Sequence, residues 1–311
     1  MINVTLRQLR YFDALARHRH FGRAAEACAI SQPALSMQIK EMEETLGGVL
    51  IERSARQVAL TKFGEELLQR VRDILRSVDE LGDFARASRD RLAGRLRVGM
   101  IPTIAPYLLP KVIENLARLH PELDIHVRET VTPKLIKEVA EGRLDTAIVA
   151  LPVSEPSLTE IALFKENFLL VRPGEQEGTP VPSRETLREM KLLLLEEGHC
   201  FRDQALSFCN MQTPPREVLD ASSLSTLVQM VGAGIGVTLI PEMAVAVETR
   251  SASVSVARFR NPQPCRTIGM VWRKTSPLAR QLQQISEVVC LAAGKERKRQ
   301  PTSPTLRRLT A

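Results

Sequence analysis

The sequence predicts a small all-α module with a two-stranded wing at the N-terminus, one long helix after it, and a larger α/β region. Apolar residues recur at helical spacing over about the first 45 residues, and a stripe with alternating steps of four and three residues follows. From Gly94 onward, short apolar strands alternate with helical stretches. The length of 311 residues also favours two or more domains.

The N-terminal residues 5–46 predict three short helices, of which the second covers Phe21–Ala27. The third begins after Ser31, whose hydroxyl is a good N-cap, and carries Pro33 in the first turn, where a missing N–H costs nothing. Gly47 ends it. The next residues, VLIERSARQVALT, predict a two-stranded wing with charged and small residues at its tip.

Residues at about 21–40 are therefore predicted to form a helix-turn-helix, a motif whose second helix enters the major groove of DNA. Glutamine can pair with adenine, serine can contact bases or phosphates, and lysine and arginine neutralise phosphates. Many helical hairpins share this pattern, so the pattern by itself is not specific to DNA-binding proteins. The candidate DNA contacts are Ser31, Gln32, Pro33, Ser36, Gln38 and Lys40 on the helix and Arg53 and Arg56 on the wing.

The long helix carries an apolar stripe of about two and a half heptads. A single helix must bury such a stripe, and a second copy of the same helix would do so, which predicts a dimer. The alternative is packing against the N-terminal helices of the same chain. The stripe consists of Leu67, Val71, Ile74, Val78 and Leu81.

The α/β region has about 200 residues and predicts α/β units on mainly parallel sheets. It could form one large subdomain or two small ones with a crevice between them, where a small molecule would bind. The predicted strands are GRLRVGMI, DIHVRET, LDTAIVA, FLLVRPG, KLLLLEE, GVTLIP and RTIGMVWR, and the predicted helices lie near 105–119, 133–141, 183–190, 203–210, 223–233 and 277–292.

The charge and composition predict a cytoplasmic protein with a polyanionic partner. The net charge of +7 resides at the two ends of the chain, and the tail at 293–311 is basic and low in apolar residues. That tail is also explained as a solvated end, and no role is assigned to it. No apolar stretch approaches the roughly 18 residues that span a bilayer, and no signal-peptide pattern is present. The five cysteines are too few for a secreted disulfide scaffold.

Two of the cysteines suggest redox chemistry. Cys200 follows a predicted strand and a glycine turn, and a helix is expected to start immediately after it. The positive end of the helix dipole and the neighbouring Arg202 would favour its thiolate, which can attack the O–O bond of a peroxide and become a sulfenic acid. Cys209 is the candidate second thiol that would make the product reversible.

The spacing of Cys200 and Cys209 limits how they could bond. Nine residues along an intact helix separate two Cα atoms by about 13 Å, whereas a disulfide needs about 4.4–6.8 Å. A bond between them therefore requires the helix to unwind, which would make the bond a conformational switch.

The alternative is that the cysteines have only a structural role as small apolar core residues, and we expect this of Cys28, Cys265 and Cys290. By the residues alone it remains open for Cys200 and Cys209 as well. A metal site would use His199 beside Cys200, but neither a CxxC nor an HxxxH spacing is present. We predict neither a metal nor a cofactor.

The N-terminal sequence resembles that of LysR-type regulators over some sixty residues, most clearly in AAEACAISQPALSMQIKEMEETLGGVLIER. The resemblance implies a winged helix-turn-helix domain at 1–62, a dimerising linker helix at 63–91 and a two-lobed regulatory domain at 94–292, similar to periplasmic binding proteins. It also implies double-stranded promoter DNA and RNA polymerase as partners, and a homodimer or homotetramer.

The segment GHCFRDQALSFC resembles the sensor motif of the peroxide-sensing OxyR group within that family. The resemblance implies that Cys200 is the peroxidatic thiol and Cys209 the resolving thiol. It places His199, Arg202 and Asp203 beside the reactive sulfur. Hydrogen peroxide would be the signal, and glutaredoxin or thioredoxin the reductant.

The same resemblance extends to the peroxide pocket, where this chain departs from the family at one position. It implies pocket hydroxyls from Thr103 and, through a weaker local match, Thr132. Val218 stands where the family has a pocket histidine, which puts a proton relay at that position in doubt.

Three functions follow from these features. The first is a regulator of antioxidant genes that peroxide switches and that is not an enzyme. The second is a metabolite-responsive regulator of the same family with structural thiols. The third is a thiol peroxidase with an accessory helical domain, against which the intact recognition helix argues.

Overall fold

A computed structural model describes residues 3–53, 58–87, 92–211, 220–260 and 262–294. The chain divides into two compact units, Met1–Ser88 and Arg89–Ala311. Within the described residues, no helix has both the length and the apolar character needed to cross a membrane. The tip of the wing with Arg56, the segment that contains Val218, and the basic tail from residue 295 lie outside the described residues.

The first unit contains four helices and a two-stranded antiparallel wing, in agreement with the sequence prediction. Helix α4 begins one residue before the predicted linker, and residues 88–91 at the predicted end of the linker lie outside the described residues. The elements are α1 (Leu6–His18), α2 (Phe21–Ala27), α3 (Gln32–Leu46), β1 (Ile51–Arg53), β2 (Val58–Leu60) and α4 (Lys62–Ala87).

Local capping explains where helix α3 starts and stops. The Ser31 hydroxyl accepts a hydrogen bond from the Ala34 N–H at 3.3 Å, and Pro33 lies in the first turn. Gly47 ends the helix in the left-handed conformation at φ 68°, which a side chain would disfavour. The predicted start and end of this helix are confirmed.

The apolar stripe of α4 divides between two environments. Val71 is 1% exposed and belongs to the core that α1, α2 and α3 build around Phe12. Farther along the helix, Ile74 is 47% exposed and Leu81 is 70% exposed. Packing within the chain, the alternative to a dimer, thus accounts for the first part of the stripe and leaves the second part on the surface.

The second unit alternates strands and helices. It begins with β3 (Gly94–Met100), α5 (Ala105–Leu119), β4 (Leu123–Glu129), α6 (Thr132–Ala140), β5 (Thr146–Leu151) and β6 (Leu158–Pro173). It continues with α7 (Arg184–Glu189), β7 (Leu194–Leu195), α8 (Cys200–Phe208), β8 (Asp220–Ala221), α9 (Leu224–Gly232), β9 (Thr238–Pro241), α10 (Val245–Glu248), β10 (Val254–Ala257), β11 (Cys265–Arg273) and α11 (Ala279–Ala292).

The long strand β6 connects two lobes. Its first part pairs with β11 beside β5, β3 and β4, and these strands with α5, α6 and α11 form the first lobe. Its last residues pair with β9 and β10, which belong to the second lobe together with α7, α8 and α9. The chain enters the second lobe along β6 and returns along β11. The α/β two-lobed architecture expected from the family resemblance is therefore present.

The prediction of mainly parallel sheets is wrong in part. Strand β3 is parallel to β4 and β5, and β7 is parallel to β8. Strand β11 is antiparallel to both β5 and β6, and β6 is antiparallel to β9 and β10. The physical reason is the return of the chain from the second lobe, which brings β11 back in the direction opposite to β6. Strands β8 and β10 and helix α10 were not predicted.

Candidate functional site

A glycine turn places Cys200 at the start of a helix. Strand β7 ends at Leu195, and Gly198 adopts φ 92°, a conformation that L side chains rarely take. His199 is the N-cap residue and Cys200 is the first residue of α8. The predicted helix near 203–210 therefore starts three residues earlier, so that Cys200 lies at the positive end of the helix dipole.

The half-buried Cys200 lines a small cavity between the two lobes with about 160 Å³ of empty space. The cavity is narrow in this conformation. Four of the predicted site residues meet here. Thr103 and Thr132 are far in sequence from His199 and Cys200. The lining residues are Ile101, Pro102, Thr103, Val131, Thr132, His199, Cys200 and Phe201.

The two threonine hydroxyls of the cavity differ in their hydrogen bonding. Thr103 Oγ1 accepts a hydrogen bond from Arg266 Nη1 at 2.7 Å. Thr132 Oγ1 is buried and has no hydrogen-bond partner among the described residues. A buried hydroxyl without a partner is costly, and such a group commonly marks a place that a ligand or water satisfies.

Arg266 and Glu166 form a buried ion pair behind Thr103 that the sequence analysis missed. Arg266 Nε donates to Glu166 Oε2 at 2.8 Å, and Arg266 Nη2 donates to the Thr103 carbonyl at 2.9 Å. The guanidinium also lies 5.7 Å from the ring centroid of Phe201, the residue after Cys200. The only sequence signal was an arginine within the apolar strand RTIGMVWR, which indicates neither its face nor its partner.

Arg202 is engaged away from the cavity. Its Nη1 donates to the Leu195 carbonyl and to Asp220 Oδ1, each at 2.7 Å, and the side chain is buried. It thereby ties α8 to the end of β7, and Asp220 balances its charge. Asp203, in the first turn of α8, is exposed. Neither Arg202 nor Asp203 lines the cavity as the described residues form it.

His199 lies beside Cys200 with its side chain almost fully buried. Burial lowers the pKa of His199, and the carboxylate of Glu196, 3.9 Å from its Nε2, opposes this effect in part. The neutral ring can accept or donate one proton at the cavity wall.

Cys209 is buried at the other end of α8. It is the C-cap residue, is 0% exposed and belongs to the apolar core of the second lobe. Burial raises the pKa of the Cys209 thiol, whereas the nearby Arg188 and Arg184 lower it. None of the five cysteines, all of which lie among the described residues, forms a disulfide. With α8 intact, the structure therefore has the two thiols in reduced form and at opposite ends of one helix.

The remaining cysteines differ from one another. Cys290 is buried, as expected for a structural thiol, and its Sγ lies 3.8 Å from the Leu163 carbonyl. Cys28 is half-buried. Cys265, the first residue of β11, is exposed, so the expectation that it is a core residue is wrong. No cluster of three or more metal-ligating side chains occurs among the described residues.

The candidate DNA contacts of α3 are all at least partly accessible. Ser31, Gln32, Pro33 and Lys40 are exposed, whereas Ser36 and Gln38 are half-buried. The Gln38 amide donates to Glu41 Oε2 at 2.7 Å, and Lys40 lies 3.7 Å from Glu44, so both would exchange these partners on binding DNA. Arg53 ends strand β1, and its side chain and Arg56 lie outside the described residues.

Comparison with known families gives two matches that together cover most of the chain. Residues 6–65 match the bacterial regulatory helix-turn-helix protein of the lysR family, and residues 89–289 match the LysR substrate binding domain. The chain is 43% identical over 290 residues to a probable hydrogen peroxide-inducible genes activator of Streptomyces viridosporus, covering 91% of this chain and 92% of that protein. It is 40% identical over 292 residues to the DNA-binding transcriptional dual regulator OxyR of Escherichia coli K12, covering 92% and 95%.

Solved structures give the same result. A full-length cysteine variant of OxyR from Pseudomonas aeruginosa matches with a TM-score of 0.75 and 36% identity, covering 96% of this chain and 99% of that one. A peroxide-bound cysteine variant of OxyR from Corynebacterium glutamicum matches with a TM-score of 0.65 and 35% identity, covering 94% and 93%. The chain therefore belongs to the LysR family of bacterial regulators, which are DNA-binding transcription factors and not enzymes, and within that family to the OxyR group.

Proposed function

We propose that this protein senses hydrogen peroxide through a reversible disulfide between Cys200 and Cys209 and uses that bond to change how it regulates antioxidant genes. The observation that carries the proposal is the cavity where Cys200, at the N-terminus of α8, meets the partnerless hydroxyl of Thr132. The similarity to peroxide-inducible activators and to a peroxide-bound OxyR supports the same signal.

The cavity residues have distinct roles in this proposal. Thr132 Oγ1 would bind one peroxide oxygen, and Thr103, held by Arg266, would orient the other. The neutral His199 ring would accept the proton of the Cys200 thiol and return it to the leaving oxygen. Arg202 would fix the start of α8, and Asp203 would contribute only from the surface.

The chemistry requires two thiols and one peroxide. The Cys200 thiolate attacks one oxygen, an S–O bond forms, the O–O bond breaks, and hydroxide leaves as water after protonation. The Cys209 thiolate then attacks the Cys200 sulfur, the S–S bond forms, and the sulfenic oxygen leaves as a second water. Two thiols lose two electrons and the peroxide gains them.

Formation of the bond must change the conformation of the second lobe. The ends of the intact α8 are about 13 Å apart along its axis, so Cys209 has to leave the core and part of the helix has to unwind. Oxidation changes gene expression only if the two forms differ in DNA binding or assembly. We expect them to differ in the packing of regulatory domains within the oligomer.

The partners follow from the family and the exposed surfaces. We expect α3 and the wing to bind double-stranded promoter DNA. The exposed end of the α4 stripe would form the interface of a homodimer. The larger assembly would be a homotetramer. RNA polymerase would be the partner at the promoter, and glutaredoxin or thioredoxin the reductant. DNA and thiol reductants coexist in the cytoplasm, where we expect the protein to act.

The test is a titration with hydrogen peroxide from below one to a few equivalents, followed by differential alkylation and peptide mass spectrometry. We expect Cys200 and Cys209 to disappear together as one disulfide at about one peroxide per chain. Cys200→Ser should abolish this reaction, and Cys265→Ser, which removes an exposed thiol outside the cavity, should leave it intact. If Cys200 and Cys209 stay reduced while other thiols oxidise, the proposal is wrong and the thiols are structural.

A further inference from the structure

Helix α7 presents two arginines to the C-terminal end of α8, where the resolving thiol lies. Arg188 Nε donates a hydrogen bond to the Cys209 carbonyl at 2.6 Å. The Arg184 guanidinium lies 4.7 Å from the ring centroid of Phe208, the last residue of α8. These contacts join residues that are about twenty positions apart in the chain and do not involve the peroxide cavity.

Arg188 provides a hydrogen-bond partner for the Cys209 carbonyl, which has none within the helix. The last four carbonyls of a helix have no partner within it, and a cation near them also interacts favourably with the helix dipole. The Cys209 N–H still donates to the Ala205 carbonyl at 3.1 Å, so Cys209 is bound on both sides of its backbone. A charged donor at 2.6 Å is a strong hydrogen bond.

A movement of Cys209 large enough to bring it within bonding distance of Cys200 would carry its carbonyl away from Arg188. The Cys209 side chain lies in the apolar core, and its backbone can leave only if Arg188 releases the carbonyl. We propose that Arg188 is a positioning residue, a latch on the resolving cysteine that sets how fast oxidised Cys200 is converted to the disulfide. The inference rests on the proposed Cys200–Cys209 switch.

The step under control is the second one of the reaction. The Cys209 thiolate attacks the sulfenic sulfur of Cys200, the S–S bond forms, the S–O bond breaks and hydroxide leaves as water. Arg188 and Arg184 favour the Cys209 thiolate only while Cys209 occupies its core position. Because that position is abandoned before the attack, the restraint outweighs the charge effect, and loss of Arg188 accelerates the step.

The experiment compares Arg188→Met with Arg250→Met, which removes an exposed arginine of a turn in the second lobe. Stopped-flow oxidation of the full chain with hydrogen peroxide separates formation of the sulfenic acid, trapped with dimedone, from its loss to disulfide. We expect sulfenic acid to form at the unsubstituted rate in both variants. The Cys200 sulfenic acid should be converted to the disulfide about tenfold faster in Arg188→Met. The reason is that the variant lacks one charge-assisted hydrogen bond that is present in the reduced protein and absent from the transition state.

The equilibrium provides a second readout. A latch present only in the reduced form opposes oxidation, so Arg188→Met should shift the dithiol–disulfide equilibrium about tenfold toward the disulfide, or about 30 mV toward more negative potential. Arg188→Lys keeps the charge and a hydrogen-bond donor. Its rate of disulfide formation and its dithiol–disulfide equilibrium constant should therefore lie within about threefold of those of the unsubstituted protein. A loss of folding in general would instead change sulfenic acid formation and thermal unfolding together.

The outcomes distinguish this inference from the proposed function. If the unsubstituted protein forms no Cys200–Cys209 disulfide, the proposed function fails. If it forms the disulfide but Arg188→Met resolves at the same rate or more slowly, the latch is wrong. If Arg188→Met does not fold, Arg188→Gln tests the same contact, because it removes the charge of the donor to the Cys209 carbonyl and keeps a polar side chain. Resolution about threefold faster in Arg188→Gln supports the latch, and an unchanged rate contradicts it.

Discussion

Cys200 and Cys209 lie at opposite ends of α8, one beside the small cavity between the two lobes and the other in an apolar core. The same helix therefore presents a reactive thiol to the signal and keeps its partner out of reach. Since the helix cannot remain intact when the two thiols bond, its stability opposes oxidation. Residues that stabilise α8 or line its cavity should affect the peroxide response in separate ways.

Thr132→Val should separate reactivity from stability. Valine has nearly the same shape as threonine but lacks the buried hydroxyl that has no partner among the described residues. We expect the folded protein to gain about 1 kcal/mol, because an unsatisfied polar group is no longer buried. Oxidation of Cys200 should slow by about tenfold, the value of one lost hydrogen bond to peroxide.

Urea unfolding of the reduced protein and peroxide kinetics measure these two effects. Thr130→Val is the matched control, because Thr130 lies two residues away and does not line the cavity. A slower reaction accompanied by lower stability would mean that Thr132 has a structural role.

Arg266→Met should destabilise the regulatory domain. The substitution leaves the Glu166 carboxylate buried without its cation and removes two hydrogen bonds to Thr103. We expect a loss of about 3–5 kcal/mol in the free energy of unfolding. The measurement is urea unfolding of the reduced protein.

The double variant Arg266→Met with Glu166→Gln provides the control for that prediction. It removes the buried charge as well, so it should be more stable than Arg266→Met alone. Equal stability of the single and double variants would show that the uncompensated charge is not the cause.

His199 should make stability depend on pH. Because burial lowers its pKa in the folded state, the unfolded chain binds more protons as the pH falls below the ordinary value of 6.5. The contribution of His199 to the free energy of unfolding is therefore fully present above this pH and is lost as the pH falls below it. Urea midpoints at about pH 5 and about pH 8 measure the change, and His199→Gln should reduce it. An unchanged difference in the variant would contradict this assignment.

Leu81→Glu should weaken dimerisation without unfolding the first unit. Leu81 is 70% exposed on α4, so a charge there costs the isolated chain within about 0.5 kcal/mol. Sedimentation velocity should detect the lower association. Val71→Glu on the same stripe buries a charge in the core and should unfold the unit instead. If Leu81→Glu assembles as the unsubstituted chain does, this part of the stripe is not an interface.

The sequence by itself determined the elements whose signals are local. The Ser31 cap, Pro33 and Gly47 define α3, and the glycine turn before Cys200 predicted the start of a helix there. These features depend on hydrogen bonds and backbone conformations within a few residues, which a sequence displays directly. The motifs also sufficed to identify the family.

Only the tertiary structure decided which charges are available at the site. Arg202 follows Cys200 closely in sequence, yet its side chain binds Asp220, whereas Arg266 comes from a distant strand to hold Thr103. The division of the α4 stripe and the antiparallel direction of β11 were equally beyond the local pattern. Each depends on contacts between residues far apart in the chain, and the free energy of such contacts is set by how whole elements pack, which no short stretch of sequence encodes.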